Sequence, residues 1–563
     1  MTMIDVMRSP VGPSLILALG AVTTAILGRI LRRPVLLTGL ALLFAALAGI
    51  LWVDLRFQAV VPVYSRAWQP IFQSGANLYW LGDGWNWYVA GLMLLVGALA
   101  ILLDMHEDNR SASQHGASLA VNLAILSAAL LFVSSGNVLT AVFTWVLLDL
   151  MILVRGITRP SLAEQQDQPP RWYSNTRGLS LFGAVLLLMS LLPAGPTGPD
   201  QALQGGTLPY ETLLLILAAA LLRVGIYPLH FWLLPDKGDT IDISERLLDH
   251  VAPVLSGLWL VGWTISLGGH PILQTTEVLA VLVISMLTAA FAAFVTRDSV
   301  THITFVFVAA AGQCLLAGAL FYSSSNPAAM LWPATTFTLG GALWLVGRRI
   351  WQVWRWQIPV SVGALALAGT PFTPGFLMQP GFAGLLGGGI QAWFYFGVYV
   401  VAQGLLIAAL LRSWSPSEQS AVNLPYATVL RLLISAVALA FPLALAGFLP
   451  QVLSAIANIP GAIPPQLGTP PSIVAELPVW IPLLISLAIG LGLVWMTPRA
   501  PARVMNALGQ VGSILRLDWF FQSTGWGVGQ LSSRWGAGFS VIEGAGYMGW
   551  MLAIVLMAWL LLQ

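Results

Sequence analysis

Long apolar runs separated by short polar connections dominate the chain. A bilayer span takes roughly 20 predominantly apolar residues. Runs of that length begin near Leu15, Val35, Trp87, Leu119, Val138, Leu179, Leu213 and Val251. They continue near Val278, Ile303, Met330, Val360, Ala392, Leu430, Val479 and Tyr547, for fifteen or sixteen candidate helices. The pattern predicts an all-α polytopic membrane protein, with no water-soluble domain left over. The first run lacks a clear basic start and a small-residue cleavage site, so it reads as a retained helix. Among the connections, 156–177 carries Pro, Gln and charge and reads as a solvated cytoplasmic loop, whereas the Pro- and Gly-rich 450–476 reads as an outer loop. The stretch 500–546 mixes Trp, Phe, Arg and Gly and is expected to include a helix lying along the membrane face.

Composition sharpens this picture. The chain is 58% hydrophobic and 8% charged, against about a quarter charged in soluble domains. Its 24 basic and 22 acidic residues leave no net field to attract nucleic acid. The single cysteine, Cys314, excludes a disulfide framework, a thiolate iron–sulfur cluster and a Cys-rich zinc site on this chain alone. Six scattered histidines argue against a haem or metal role. All basic residues but Lys237 are arginine, and their placement gives orientation, because Lys and Arg near span ends stay cytoplasmic. Arg29, Arg32 and Arg33 lie in the first connection. Arg110, Arg155, Arg159, Arg171, Arg177, Lys237, Arg246, Arg297, Arg348, Arg349, Arg355, Arg412, Arg431, Arg499, Arg503 and Arg516 fall in later odd-numbered ones. The even-numbered connections are nearly bare apart from Arg56 and Arg66, which points the N-terminus outward from a bacterial inner membrane.

Candidate chemistry must then come from polar residues inside the bilayer, where they are costly. Asp149 lies near the middle of the fifth span. Arg223, Tyr227 and His230 follow at i, i+4 and i+7, one face if the seventh span is a continuous helix, and Pro228 would kink that helix and admit water. In the twelfth span, Pro371 and Pro374 within Gly369-Thr-Pro-Phe-Thr-Pro-Gly-Phe376 forbid a regular helix. Asp149 reads either as a structural ion-pair partner or as part of an ion or proton route.

At these residues the chain resembles the antiporter-like, proton-translocating membrane subunits of complex I-type NADH:quinone oxidoreductases, relatives of membrane hydrogenases and multisubunit cation/proton antiporters. Leu81-Gly82-Asp83-Gly84 is similar to that family's Val-Asp-Gly-Leu before the third helix. Asn137 through Trp145 is similar to the run into its fifth helix, and Arg223 through Asp236 to its Lys-x-Pro…Pro-Leu-His-x-Trp-Leu-Pro-Asp seventh helix with one residue inserted. Gly369 through Phe376 is similar to the break in its twelfth helix, and Asp298 to Gly312 has the spacing of its Asp-x-Lys-Arg…Gly segment without the basic pair. The resemblance implies a core of fourteen helices with two inverted five-helix repeats, spans four to eight and nine to thirteen, each holding one broken helix. The corresponding segments are 1–116, 117–270, 271–415, 416–498, 499–546 and 547–563. It also implies proton transfer along titrating side chains, no cofactor on this chain, and neighbouring membrane-arm subunits in a complex whose other members carry flavin and iron–sulfur clusters. Quinone contact is not expected.

The departures from that pattern decide the functional reading. Val146 stands where the family's fifth-helix Glu follows the Trp, and Arg223 replaces the seventh-helix Lys. Ser256 replaces the eighth-helix Lys, and Gln379 the twelfth-helix Lys or Glu. Lysine in low dielectric can release a proton, whereas arginine effectively never does. Asp149, three residues after Val146 and expected on roughly the same face, is therefore read as the partner of Arg223 in a displaced, locked ion pair. Two classes stay open: a proton-translocating module using Asp149, His230 and water, or a structural, non-pumping member of such a complex. A third is the membrane half of a two-component inorganic-carbon uptake system, or a hydrogenase or antiporter subunit.

Overall fold

The computed structural model describes residues 3–31, 33–67, 77–104, 112–158, 174–194, 208–234, 243–321, 327–414, 426–459, 461–463, 473–499 and 501–517, with single positions 520, 523 and 530. Contacts divide the chain into two compact units, Met1–Gly512 and Ser513–Gln563. The second falls almost entirely outside the described residues, as does the predicted span near Tyr547.

Each of the other fifteen apolar runs is helical. The first eight are α1 (Gly12–Ile30), α2 (Pro34–Arg56), α3 (Gly84–Leu103), α4 (Ala112–Val133), α5 (Val138–Thr158), α6 (Ser174–Met189), α7 (Tyr210–Val224) and α8 (Ile243–Leu273). There follow α9 (Thr276–Val295), α10 (Ser299–Ala319), α11 (Ala328–Trp354), α12 (Ile358–Ala368), α13 (Ile390–Arg412), α14 (Tyr426–Phe448) and α15 (Ile473–Met496). Twelve helices among the described residues are long and apolar enough to cross a membrane. The shorter α6, α7 and α12 account for the difference from the sequence count. A last helix, α16 (Ala502–Leu515), exposes Val504, Val511 and Ile514 along one side and lies within the stretch 500–546.

Helix packing in lipid depends on close side-chain fit and hydrogen bonds more than on a hydrophobic driving force. Accordingly, fully buried tryptophans (Trp85, Trp145, Trp259, Trp332, Trp344) fill the helix interfaces, and several spend their indole N–H on a carbonyl. Further bonds between elements lie at the two ends. At the arginine-rich end, Arg155 Nη2 donates to Glu245 O (3.2 Å), Arg348 Nη2 to Ser299 Oγ (3.0 Å), and Arg412 to Phe294 O and Thr296 O. At the opposite end lies an element the apolar pattern did not predict, a hairpin of β1 (Val63–Ala67) and β2 (Asn77–Leu81). Its strands are antiparallel, with Val63 opposite Leu81 and Ala67 opposite Asn77. It is tied to the α4–α5 connection through Gly136 N–H to Tyr79 O (2.7 Å) and Tyr79 N–H to Thr140 Oγ1 (2.8 Å).

Three of the polar residues in the resembling motifs are helix caps. Asp83 accepts from Asn86 N–H (2.8 Å) at the start of α3, Asn137 from Thr140 N–H (2.8 Å) at α5, and Asp298 from Thr301 N–H (2.9 Å) at α10. Each satisfies a backbone donor that the first turn of a helix leaves open.

The two interrupted helices end in the same way. α7 stops at Val224 and Gly225 turns left-handed (φ 71°), with Gly225 N–H on Leu222 O (3.1 Å) and Ile226 N–H on Leu221 O (3.4 Å). α12 stops at Ala368 and Gly369 turns left-handed (φ 73°), with Gly369 N–H on Ala366 O (3.1 Å) and Thr370 N–H on Leu365 O (3.1 Å). Both are Schellman ends, a geometry glycine adopts without steric cost. The expectation that Pro228 kinks a continuous seventh helix is thereby corrected: the helix has already ended. Pro228 instead precedes a short 3-10 turn, Leu229–Leu233, where it is exposed and has no N–H to satisfy. Pro371 and Pro374 likewise lie beyond the end of α12, with Pro374 opening the 3-10 turn Pro374–Met378.

Candidate functional site

The first break places a charged network inside the bundle. Asp149, on α5, points at Arg223, on the last turn of α7; their side chains are 8% and 0% exposed. The carboxylate Oδ1 accepts from Arg223 Nη1. Oδ2 accepts from Trp145 Nε1 (2.9 Å), one turn earlier on α5, and from Ser180 Oγ (2.9 Å) on α6. Arg223 Nη1 also donates to Ser180 Oγ (2.8 Å), and Nε donates to Ser256 Oγ (3.1 Å) on α8. The guanidinium sits over the Trp145 ring, 4.9 Å from its centroid, a cation–π contact strengthened by desolvation. Four helices therefore meet on one ion pair.

Backbone approach makes this possible. A side chain on Gly257 would come within 2.7 Å of Val224 N and 3.0 Å of Arg223 C, so only glycine lets α8 bring Ser256 against the end of α7. Arg223 Nη2 is buried with no hydrogen-bond partner among the described residues. It is the one nitrogen of the guanidinium left for water.

The structure corrects two expectations drawn from helical spacing. Val146 is 44% exposed on the outer face of α5, whereas Trp145 and Asp149, at i and i+4, share the inward face. Asp149 is therefore aligned with Trp145 and not with Val146. Arg223, Tyr227 and His230 do not share a helical face either, because α7 ends between Arg223 and Tyr227. Tyr227 stacks on His230 (centroids 5.0 Å, interplanar 20°), its N–H donates to Ser285 Oγ (2.8 Å), and His230 packs against Phe305 (5.1 Å).

At the second break all groups are neutral. Gln379 is fully buried and donates from Nε2 to Gly369 O (3.5 Å). Gln403 on α13 donates from Nε2 to Ala368 O (3.1 Å) and Leu367 O (3.4 Å), covering carbonyls that the end of α12 leaves open. Tyr399, one turn before Gln403, stacks on Phe382 (3.9 Å). The Tyr399 hydroxyl lies close to the Gln379 side chain, and Gln403 Oε1 is buried without a hydrogen-bond partner among the described residues. No Asp, Glu, Lys, Arg or His occurs anywhere in 358–411.

Sequence reasoning singled out Asp149, Arg223, Ser256 and Gln379 but missed Ser180, Tyr399 and Gln403. It also missed a second buried ion pair, Arg155 Nη2 to Asp249 Oδ2 (2.8 Å), which joins α5 to a π-turn, Leu247–Val251, within α8. The next residue of that turn, His250, bonds Thr304 Oγ1 (3.1 Å) on α10. The available signal was charge inside or beside an apolar run, which marks Arg155 and Asp249 without pairing them and leaves Ser180 unmarked. Among the described residues no group of three or more His, Cys, Asp or Glu could hold a metal ion.

No protein-family model matches the chain, and no curated protein matches it. Solved structures do. A chain of the Mrp complex from Dietzia sp. DQ12-45-1b aligns with a TM-score of 0.71 at 17% identity, over 97% of this chain and 62% of that one. This chain thus spans under two thirds of that relative's length. A chain of respiratory complex I from Thermus thermophilus with bound Aureothin aligns with a TM-score of 0.58 at 18% identity, over 79% of this chain and all of that one. The protein is an all-α polytopic membrane chain with the fold found in chains of the Mrp complex and of respiratory complex I.

Proposed function

We propose that the chain is an antiporter-like membrane subunit of a complex I-type assembly, flanked by other membrane-arm subunits, in which a fixed ion pair and neutral groups replace the titrating relay. The carrying observation is the buried Asp149–Arg223 pair, held by Ser180, Ser256 and Trp145. Arginine as a residue type effectively never releases a proton, and a buried ion pair holds the helices that contribute its two partners in register. The absence of charge from 358–411 supports the same reading for the second half. In this proposal α4–α8 and α9–α13 are the two inverted repeats, supported by the matching ends of α7 and α12. Flavin and iron–sulfur clusters belong to partner subunits, quinone does not reach this chain, and the N-terminus faces outward from a bacterial inner membrane.

A conducting reading has one observation in its favour: Arg223 Nη2, which a buried water chain would satisfy. Asp149→Asn separates the two. Stranding one partner of a buried ion pair costs about 3–5 kcal/mol, so the scaffold reading expects reduced amounts of intact complex. Arg223→Lys, which restores a titratable group, should then leave the proton-to-electron ratio unchanged. Normal amounts of complex pumping fewer protons per electron with Asp149→Asn would sink the scaffold reading. Identifying the chains that co-purify from native membranes tests the assembly. Flavin and iron–sulfur proteins fit the complex I type, and a single zinc-binding partner fits inorganic-carbon uptake instead.

A further inference from the structure

Away from either break, three guanidiniums converge on the connection between α9 and α10. Arg412, on the last turn of α13, donates from Nη1 to Phe294 O and from Nη2 to Thr296 O. Arg348, on α11, donates from Nη2 to Ser299 Oγ (3.0 Å). Arg297, on the connection itself, donates to Asn506 Oδ1 (2.9 Å) of α16. Capping the end of α9 explains where Arg412 sits, since a cation there complements the helix dipole. It leaves the charge unpaired, however. None of the three arginines forms an ion pair with a described residue. Arg348 Nη1 has no hydrogen-bond partner among them either.

The local charge balance is strongly positive. Asp298 is the one carboxylate on the 294–299 connection, and it caps α10 through Thr301. Arg348 is near enough to Arg246 and Arg412 to be repelled by both, against the single attraction of Asp298, and Arg412 is similarly near Arg297. The N-terminus of α10 adds partial positive charge at the same place. Such a cluster calls for an anion with several oxygens, which guanidinium forks bind well.

The surroundings indicate where that anion comes from. Beyond Arg348, α11 carries Trp351, with Arg355 stacked over its ring (5.5 Å), and ends at Trp354 (48% exposed); Trp356 (38%) follows in the connection and Ile358 (60%) opens α12. Tryptophan and arginine at a helix end mark headgroup depth. The exposed Val504 and Val511 on α16, whose Asn506 bonds Arg297, extend the apolar rim beside the same connection.

We propose that Arg297, Arg348 and Arg412, on the connection between α9 and α10, form a binding site for the phosphate headgroup of an anionic phospholipid. The inference does not depend on the function proposed above. Native mass spectrometry of the purified full chain, titrated with phosphatidylglycerol or phosphatidylcholine, tests it directly. Phosphatidylglycerol should be retained preferentially. Each arginine changed to glutamine should lower that retention roughly fivefold, so that Arg348→Gln with Arg412→Gln lowers it about twenty-five-fold, the scale of single basic residues at an anionic surface. Arg29→Gln, on the last turn of α1, should leave retention unchanged. Because Arg412 also caps α9, Arg297→Gln alone serves if the double variant does not fold. Equal retention of the two lipids by the unmodified protein would overturn the proposal, as would indifference to Arg297→Gln. So would displacement of the lipid by an equal concentration of inorganic phosphate, which would make this a free-anion site. Exclusion of phosphatidylglycerol by an acidic partner protein that crosslinks to Arg297→Cys would overturn it too.

Discussion

At the residue scale, what separates Asp149 from the other polar motif residues is the partner it finds. Asp83, Asn137 and Asp298 each meet a backbone N–H of their own helix, and Asn137 also donates to Asn77 O (2.7 Å) on β2. Asp149 meets side chains from its own helix and two others, and Arg223 extends the network to a fourth helix. Ser180 is the hinge of this arrangement, because one hydroxyl donates to the carboxylate and accepts from the guanidinium. Ser180→Ala removes both bonds without moving a charge. It should lower stability by about 1–3 kcal/mol, the cost of leaving buried polar groups short of a partner. Denaturation of the purified protein in detergent measures this, and a loss well below that range would mean water takes the place of the hydroxyl. Trp145→Phe should cost less, since it removes one N–H donor and keeps an aromatic face under Arg223. Asp149 and Arg223 stand out in the sequence because charge inside an apolar run is rare. Ser180 does not, because serine is common there.

At the element scale, two glycines set the geometry of the first break. Gly225 ends α7 with φ 71°. An alanine there takes on the left-handed penalty of about 1–2 kcal/mol, and would favour continuing the helix through Ile226. Gly257 acts by size, since an added methyl would lie 2.7 Å from backbone on α7. Gly257→Ala should therefore push α8 away from α7, lengthen Arg223–Ser256, and cost about 1–3 kcal/mol of overpacking. A structure of this variant with Arg223 Nε still 3.1 Å from Ser256 Oγ would refute the account. The prolines in both motifs drew attention to the right places. The helices end earlier than the prolines require, because a left-handed glycine closes the last carbonyls by itself.

At the scale of the whole molecule, orientation is the next thing to establish. The alternation of arginines predicts that 156–177 faces the cytoplasm and 450–476 the outside. Cys314, the only cysteine, is 1% exposed, so cysteines introduced elsewhere can be read over a silent background. In sealed cells a membrane-impermeant thiol reagent should label Gln451→Cys and leave Gln166→Cys untouched until the membrane is opened. Labelling of Gln166→Cys from outside would invert the topology.

The order of the apolar helices was legible in the sequence because bilayer thickness makes span length a one-dimensional property of the chain. The positions of both breaks were legible for a similar reason: proline and glycine act on the backbone within a few residues. The β1–β2 hairpin was not, since its pairing competes with no long apolar period and depends on docking to the α4–α5 connection. The sequence marked Asp149, Arg223, Ser256 and Gln379 as polar groups in apolar runs, yet it put Asp149 on the face of Val146 and joined Arg223 to His230. Which buried groups meet depends on the rotation and depth of each helix, and those are decided by close approaches such as Gly257 against Val224. Tertiary structure alone therefore fixed the Asp149–Arg223–Ser180–Ser256 network, the neutral cluster around Gln379, and the gathering of Arg297, Arg348 and Arg412.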